Sequence, residues 1–202
     1  MLQMMVIFTM AVLMILALPK KASAHCDTMD GPTAIDGMKA LETKNINHAL
    51  KWIMPEGEEE LANIFQLSLK VRELNDDAKE VADRYFLENL VRIHRAGEGA
   101  PYTGLQPAGV PIDEKVAAAD KCIEIGNLLP LEGLASPEEM PELEKRLHKA
   151  LALKDFDVND VQAGREYIEA YVSFFKFAEG EDHDHGHGHA HEAAETLHEH
   201  HK

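Results

Sequence analysis

Apolar residues recur at three- and four-residue intervals through residues 33–178, and no stretch alternates apolar and polar residues over more than a few positions. This spacing puts the apolar side chains of each segment on one face of an α-helix, whereas a strand needs a two-residue repeat. The pattern therefore predicts an all-α fold, an antiparallel bundle of about six to seven helices with short connections. A body of about 150 residues can bury a stable core without disulfides or metal ions.

Local start and stop signals set the expected boundaries of these helices. Pro55 ends one segment and Gly97 ends another, whereas Ser136, Pro137 and Glu139 form the pattern of a capped helix start. The predicted helices are residues 33–43, 45–54, 57–74, 76–95, 112–125, 137–153 and 159–178. The helix over 76–95 has an expected apolar set of Val81, Phe86, Leu87, Leu90, Val91 and Ile93. A Gly- and Pro-rich loop, 97–111, follows it and has no helical pattern.

The beginning of the chain has the features of an export signal. Residues 6–18 are apolar but too short to span a bilayer comfortably, and they precede the small-residue site Ala22-Ser23-Ala24. We therefore predict a signal peptide over 1–24, a helical domain over 25–180, and a periplasmic or secreted protein. The lack of a basic residue before the apolar run, with Lys20 and Lys21 after it, leaves an uncleaved anchor as the alternative.

The charge of the chain restricts its partners. Its formal net charge is −16, and removal of residues 1–24 takes away two lysines and no acid, giving −18. Such a surface repels nucleic acid and anionic membranes and attracts cations. Cys26 and Cys122 are the only cysteines. They allow one disulfide in an oxidising compartment or two free thiols.

The last 22 residues, 181–202, are a distinct segment with no apolar face, which predicts a disordered tail. This tail carries eight of the twelve histidines: His183, His185, His187, His189, His191, His198, His200 and His201. Neutral imidazoles on a flexible chain suit nickel, copper or zinc ions. Because no geometry is fixed, the tail is expected to capture or buffer metal ions rather than to catalyse a reaction.

Cleavage after Ala24 would create a second candidate metal site. The new terminus would offer an α-amine, the His25 imidazole, the Cys26 amide and the Cys26 thiolate within two residues. A copper ion bound by the His25 amine and imidazole would resemble the histidine brace of copper oxygenases and some copper carriers. The usual fold of those proteins is β-rich. The alternative is that His25-Cys26 is an ordinary exposed terminus.

The sequence His25-Cys26-Asp27 with Gly31 also resembles the N-terminal hook of nickel superoxide dismutase, which sits on a helical bundle. That resemblance implies nickel bound by the terminal amine, the Cys26 amide and the Cys26 thiolate, with the His25 ring axial. The chain departs from the hook pattern because Met29 and Asp30 stand where the family has proline and a second cysteine. Thr33 stands in place of a tyrosine.

Two longer segments resemble an uncharacterised family of exported bacterial proteins. They are Ala-His-Cys-Asp-Thr-Met-Asp-Gly-Pro at residues 24–32 and Val-Arg-Ile-His-Arg-Ala-Gly-Glu-Gly-Ala-Pro-Tyr-Thr-Gly at residues 91–104. The resemblance extends over residues 24–178. It implies an exported domain and assigns no activity.

The second of these segments is the best candidate for a partner site or for residues that support a metal site. Glu88, Arg92 and Arg95 follow one another at i, i+4 and i+7 on a helix face. The full candidate set is His48, Tyr85, Glu88, Arg92, His94, Arg95 and Tyr102. The simpler interpretation of Glu88 and Arg92 is a surface ion pair worth a few tenths of a kcal/mol.

Taken together, the sequence favours an exported protein that binds transition-metal ions through its processed terminus and its tail. One alternative is a redox metalloenzyme built on His25 and Cys26. The other is a helical interaction domain that acts through residues 91–104 and binds no metal. No catalytic motif identifies catalytic residues, so the sequence leaves the question of an enzyme open.

Overall fold

A computed structural model of the chain describes residues 24–180. This part of the chain contains seven α-helices joined by loops and three short 3₁₀-helices, and no strand. The helices are α1 (Pro32–Thr43), α2 (Asn47–Leu50), α3 (Glu58–Val71), α4 (Asp76–Gly97), α5 (Glu114–Ile125), α6 (Met140–Leu153) and α7 (Val161–Glu179). The all-α prediction is confirmed. None of the helices in residues 24–180 is both long and apolar enough to cross a bilayer.

Side-chain caps explain where several helices begin. The side-chain oxygens of Asn75, Asp113 and Asp160 accept hydrogen bonds from backbone N–H groups at the starts of α4, α5 and α7, at 2.8, 2.8 and 3.0 Å. Such caps satisfy donors that have no partner within the helix. At the other end, Gly126 and Gly180 end α5 and α7 in the left-handed conformation that glycine adopts without strain.

Several predicted helices are shorter than expected, and those over 57–74 and 112–125 are reduced to Glu58–Val71 and Glu114–Ile125. Only Asn47–Leu50 is α-helical in the segment 45–54, and Met54 is extended before Pro55, as the residue before proline usually is. Helix α6 begins at Met140 rather than at Pro137. Half of the predicted capping pattern is nevertheless present, since the Glu139 carboxylate accepts the Ser136 N–H at 2.7 Å.

The buried apolar residues form two clusters. One lies between α1, α3 and α4, and the other lies between α5, α6 and α7 and includes Cys26 and Trp52. The apolar set predicted for α4 is correct except at Val81, which is 67% exposed. Ala82 and Asp83 occupy the inward positions one turn before Phe86, so Val81 lies on the outer side.

Candidate functional site

The N-terminal segment is paired with the loop that follows α4. The Gln106 N–H donates to the Asp27 carbonyl at 2.7 Å, and the Met29 N–H donates to the Gln106 carbonyl at 3.0 Å. Farther along, the Asp30 carboxylate accepts the Gly109 N–H at 2.8 Å. The two sequence segments 24–32 and 91–104, together with the rest of the loop, therefore form one structural unit.

A buried ion pair fixes this unit to the end of α4. Arg95 donates from Nε and Nη2 to the two carboxylate oxygens of Asp27, both at 2.7 Å. Asp27 and Arg95 are 6% and 4% exposed. The planar guanidinium matches a carboxylate in this two-bond arrangement. Burial alone would lower the pKa of Arg95, but the bonds and charge of Asp27, with the charge of Glu98, raise it.

Cys26 lies in the core directly before this ion pair. Its side chain is 4% exposed, and burial, followed by the charge of Glu98, raises its pKa to about 12. Cys26 and Cys122 are both buried and free. The thiolate is the form that binds metals and reacts, so the protonated Cys26 thiol is a poor ligand as it stands.

His94 is held inside the molecule beside Trp52. Its Nδ1 lies 2.6 Å from the Trp52 carbonyl oxygen, which can only accept, so Nδ1 carries the proton. Its Nε2 is buried, makes no hydrogen bond, and lies 3.7 Å from a Glu98 carboxylate oxygen. Glu98 also accepts from Arg95 at 3.1 Å and lies 3.9 Å from Lys176. His94 and Arg95 of the predicted site therefore face the interior rather than a partner.

Glu88 anchors the loop. It accepts hydrogen bonds from the Tyr102 hydroxyl and, at 3.2 Å, from the Leu105 N–H. Burial opposes ionisation of Glu88, but the bonds from Tyr102, Leu105 and Arg84 lower its pKa. These contacts bring Glu88 and Tyr102 of the predicted set together.

Other members of the predicted set lie apart. The expected Glu88–Arg92 pair is not formed, because Arg92 turns toward α3, where it pairs with Glu60. Tyr85 is exposed on the outer side of α4. His48 does not reach residues 91–104. It lines a separate cavity with Asp36 and Lys51.

The metal-site predictions concern residues of which the structure describes little. Among the side chains described within 24–180, no three histidine, cysteine, aspartate or glutamate side chains converge to hold a metal ion. The His25 side chain, the eight tail histidines and residues 1–23 of the predicted signal peptide all lie outside the described residues. Metal binding by the terminus and by the tail therefore stays a prediction.

Sequence reasoning missed several residues of this unit. The sequence pattern singles out Asp27 only as part of a terminal hook and gives Glu98 and Gln106 no individual role. The one signal in the sequence was the joint presence of the segments 24–32 and 91–104, which the fold brings into contact.

These features define a class: an all-α domain in which an N-terminal segment is ion-paired to the end of a central helix. The chain belongs to a family of unknown function, DUF6448, which matches residues 30–177. The match includes Arg95, Glu98 and the whole loop, and it begins after Cys26 and Asp27. No curated protein and no solved structure matches the chain.

Proposed function

We propose that the chain is an exported transition-metal-binding protein that captures or buffers ions through residues 181–202. The observation that carries this proposal is the placement of eight of the twelve histidines in that segment, interleaved with acidic residues. Neutral imidazole is a common ligand of nickel, copper and zinc, and the acidic surface attracts cations. Export follows in this proposal from cleavage after Ala24.

The processed terminus takes a smaller part in this proposal. The His25 amine and imidazole would be available after cleavage, but the Cys26 thiol is buried and its pKa is raised to about 12. A metal ion bound there must either displace the Cys26 thiol proton and draw the side chain out of the core, or leave the sulfur unused. We therefore assign capture to the tail first and give the terminus at most one ion.

The contacts of residues 91–104 support metal capture over the alternative of an interaction domain. Arg95 and His94 are buried, and Tyr102 bonds to Glu88. A redox enzyme based on Cys26 would need an accessible thiolate, which is the disfavoured form here. Metal capture by the tail needs neither a free surface on this segment nor an ionised Cys26.

Metal uptake by the exported protein tests the proposal. The mature chain is titrated separately with Ni²⁺, Cu²⁺ and Zn²⁺ by calorimetry, and bound metal is measured after gel filtration. We expect more than one bound ion, and loss of most of them when His183, His185, His187, His189 and His191 are replaced by asparagine. The matched control is His148→Asn, which changes an exposed histidine of the folded domain. Equal uptake by both variants would contradict capture by the tail.

The terminal site has its own test. Intact mass and N-terminal sequencing of the exported protein determine whether His25 is the first residue. If it is, metal uptake is measured on the variant with five tail histidines replaced by asparagine. Retention of one ion by that variant, and its loss when His25→Ala is added, supports a terminal site. Retention in the His25→Ala variant excludes it without affecting the proposal for the tail.

A further inference from the structure

A solvent-accessible cavity lies beside the start of α1. It has a volume of about 380 Å³ and lies between α1, the residues after α2, the turn between α6 and α7, and α7 itself. This volume is within the range of small-molecule sites, which are about 300–1,000 Å³. None of the lining residues described within 24–180 is assigned to the metal proposal.

Aromatic rings form a continuous wall of this cavity. The rings of Phe156 and Tyr167 are 5.7 Å apart and inclined by 31°, and those of Tyr167 and Tyr171 are 6.2 Å apart and inclined by 32°. Trp52 meets Tyr171 edge to face at 6.2 Å. These rings give the cavity an apolar aromatic wall, against which an aromatic ligand can pack.

The charged residues around the cavity are mainly basic. Lys39, Lys51 and Lys154 line it, and Asp36 is the only acidic side chain lining it within residues 24–180. The chain as a whole has a net charge of −16, so this concentration of lysines contrasts with the rest of the surface. Locally positive clefts concentrate anions.

Contacts within the cavity decide which lysines remain for a ligand. Asp36 is 2.9 Å from the Lys51 ammonium and accepts the Trp52 indole N–H at 2.8 Å. The Lys51 side chain is 10% exposed, and its ammonium also lies 5.2 Å from the centre of the Phe156 ring. Asp36 therefore balances Lys51. The structure gives Lys39 and Lys154 no carboxylate partner among residues 24–180, so their charges are left for a ligand.

The pKa of His48 is affected by the same lysines. Burial and then the charge of Lys39 lower its pKa, with Lys51 acting in the same direction and Asp36 against it. A neutral imidazole at the edge of the cavity can donate or accept a hydrogen bond. The cavity thus combines an aromatic wall, a neutral imidazole and two lysines without a carboxylate partner among residues 24–180, of which Lys154 also donates to the Ile123 carbonyl.

We propose that this cavity binds a small organic anion with a flat aromatic body. Its carboxylate or phosphate group is held by Lys39 and Lys154, and its ring packs against Tyr167 and Phe156. The rest of the acidic surface repels such an anion, which makes the cavity selective for it. This site uses none of the residues on which metal capture depends, so either proposal can fail without the other.

Binding is tested on the full mature chain with benzoate and phenyl phosphate as probes. Trp52 is the only tryptophan and lines the cavity, so its fluorescence reports occupancy directly, with calorimetry as a second measurement. We expect saturable binding of at least one probe. Comparison of the two identifies which head group is preferred. Acetate, inorganic phosphate and benzyl alcohol, which keep only the charge or only the ring, should bind at least about ten-fold more weakly.

Charge reversal locates the site. The double variant Lys39→Glu/Lys154→Glu should bind the preferred probe at least about ten-fold more weakly. The control Lys70→Glu/Lys149→Glu makes the same charge change at exposed lysines outside the cavity and should keep the affinity. Lys154 also donates to the Ile123 carbonyl at 2.9 Å, so the first variant could unfold. In that case Lys39→Gln/Lys154→Gln is used, which removes the two charges without reversing them.

Three results would overturn the proposal. The first is no saturable binding of either aryl anion. The second is equal binding of acetate or inorganic phosphate, which would show that the aromatic wall plays no part. The third is equal affinity in the cavity variant and its control, which would place binding elsewhere on the protein.

Discussion

Arg95 and Asp27 form a two-bond ion pair inside the protein although 68 positions separate them in the chain. Arg95 comes from the last turn of α4, and Asp27 comes from the short 3₁₀-helix Ala24–Asp27. The pair holds the N-terminal segment against the loop after α4. Cys26, the preceding residue, is buried in the core.

Breaking this ion pair from one side should destabilise the fold strongly. Arg95→Ala leaves Asp27 buried with an uncompensated charge, which typically costs about 3–5 kcal/mol. Asp27→Asn leaves Arg95 with Glu98, at 3.1 Å, as its remaining charged partner, and should cost somewhat less. Urea unfolding measures the loss. Arg84→Ala, which removes the more exposed partner of Glu88, is the control and should cost less than about 1 kcal/mol. If Asp27→Asn lost no more stability than Arg84→Ala, the pair would not anchor the segment.

The loop should loosen when Glu88 loses its charge. In Glu88→Gln the side chain accepts the Tyr102 hydroxyl and the Leu105 N–H less strongly, and bonds to charged groups are worth about 1.5–3 kcal/mol. We expect faster amide hydrogen exchange at Leu105 and Gln106 with little change in α6 and α7. Glu60→Gln, which affects the exposed pair with Arg92, is the matched control. Unchanged exchange in the loop of Glu88→Gln would contradict the anchoring role.

The helices were predictable from the sequence because their signals are local. Apolar spacing, the aspartate and asparagine caps, and Gly126 and Gly180 all act within a few residues of the helix that they define. The predicted helix over 45–54 and the predicted helix start at Pro137 are wrong for a reason that is also local. A turn competes with the helix there, and the pattern of apolar residues does not separate the two.

The site was less predictable because its contacts are remote in the chain. Nothing local in the sequence states that Arg95 meets Asp27, or that Glu88 turns to the loop while Arg92 turns to α3. A helix of 22 residues such as α4 contacts different elements on each side, so residues four apart can have unrelated partners. The cavity around Trp52 likewise depends on how α1 and α7 pack.

Stability should fall at alkaline pH because of Cys26. Its pKa is raised from 9.0 to about 12, so between these values the folded chain keeps a proton that the unfolded chain has released. The contribution is therefore complete below pH 9 and is lost as the pH rises toward 12. We expect the free energy of unfolding to drop by about 1 kcal/mol from this residue between pH 8 and pH 10.

Two cysteine variants separate this effect from other alkaline effects. Urea unfolding of Cys26→Ala should show a shallower fall between pH 8 and pH 10, whereas Cys122→Ala should keep the part due to Cys26. Neither thiol should react with a thiol reagent before the native chain unfolds, since both are buried. Rapid labelling of Cys26 in the native protein would contradict the burial on which this prediction rests.

Gly37 sets the distance between α1 and α4. A Cβ atom at this position would lie 2.7 Å from the Cδ2 atoms of both Leu87 and Leu90, which are fully buried and have no room to move. Overpacking of this kind costs about 1–3 kcal/mol, against a gain of about 1 kcal/mol from alanine in a helix. We therefore expect Gly37→Ala to lower the free energy of unfolding by about 1 kcal/mol.

The matched control is Gly97→Ala, near the end of α4. There the new Cβ would meet Cγ of Met54 at 2.9 Å, but Met54 is half exposed and can turn away, so alanine should be neutral or stabilising. Combining Gly37→Ala with Leu90→Val removes one of the two clashes and should cost less than the two single changes added together. Strict additivity, or a stabilising Gly37→Ala, would show that α1 and α4 separate without cost and that the glycine is not required for their close approach.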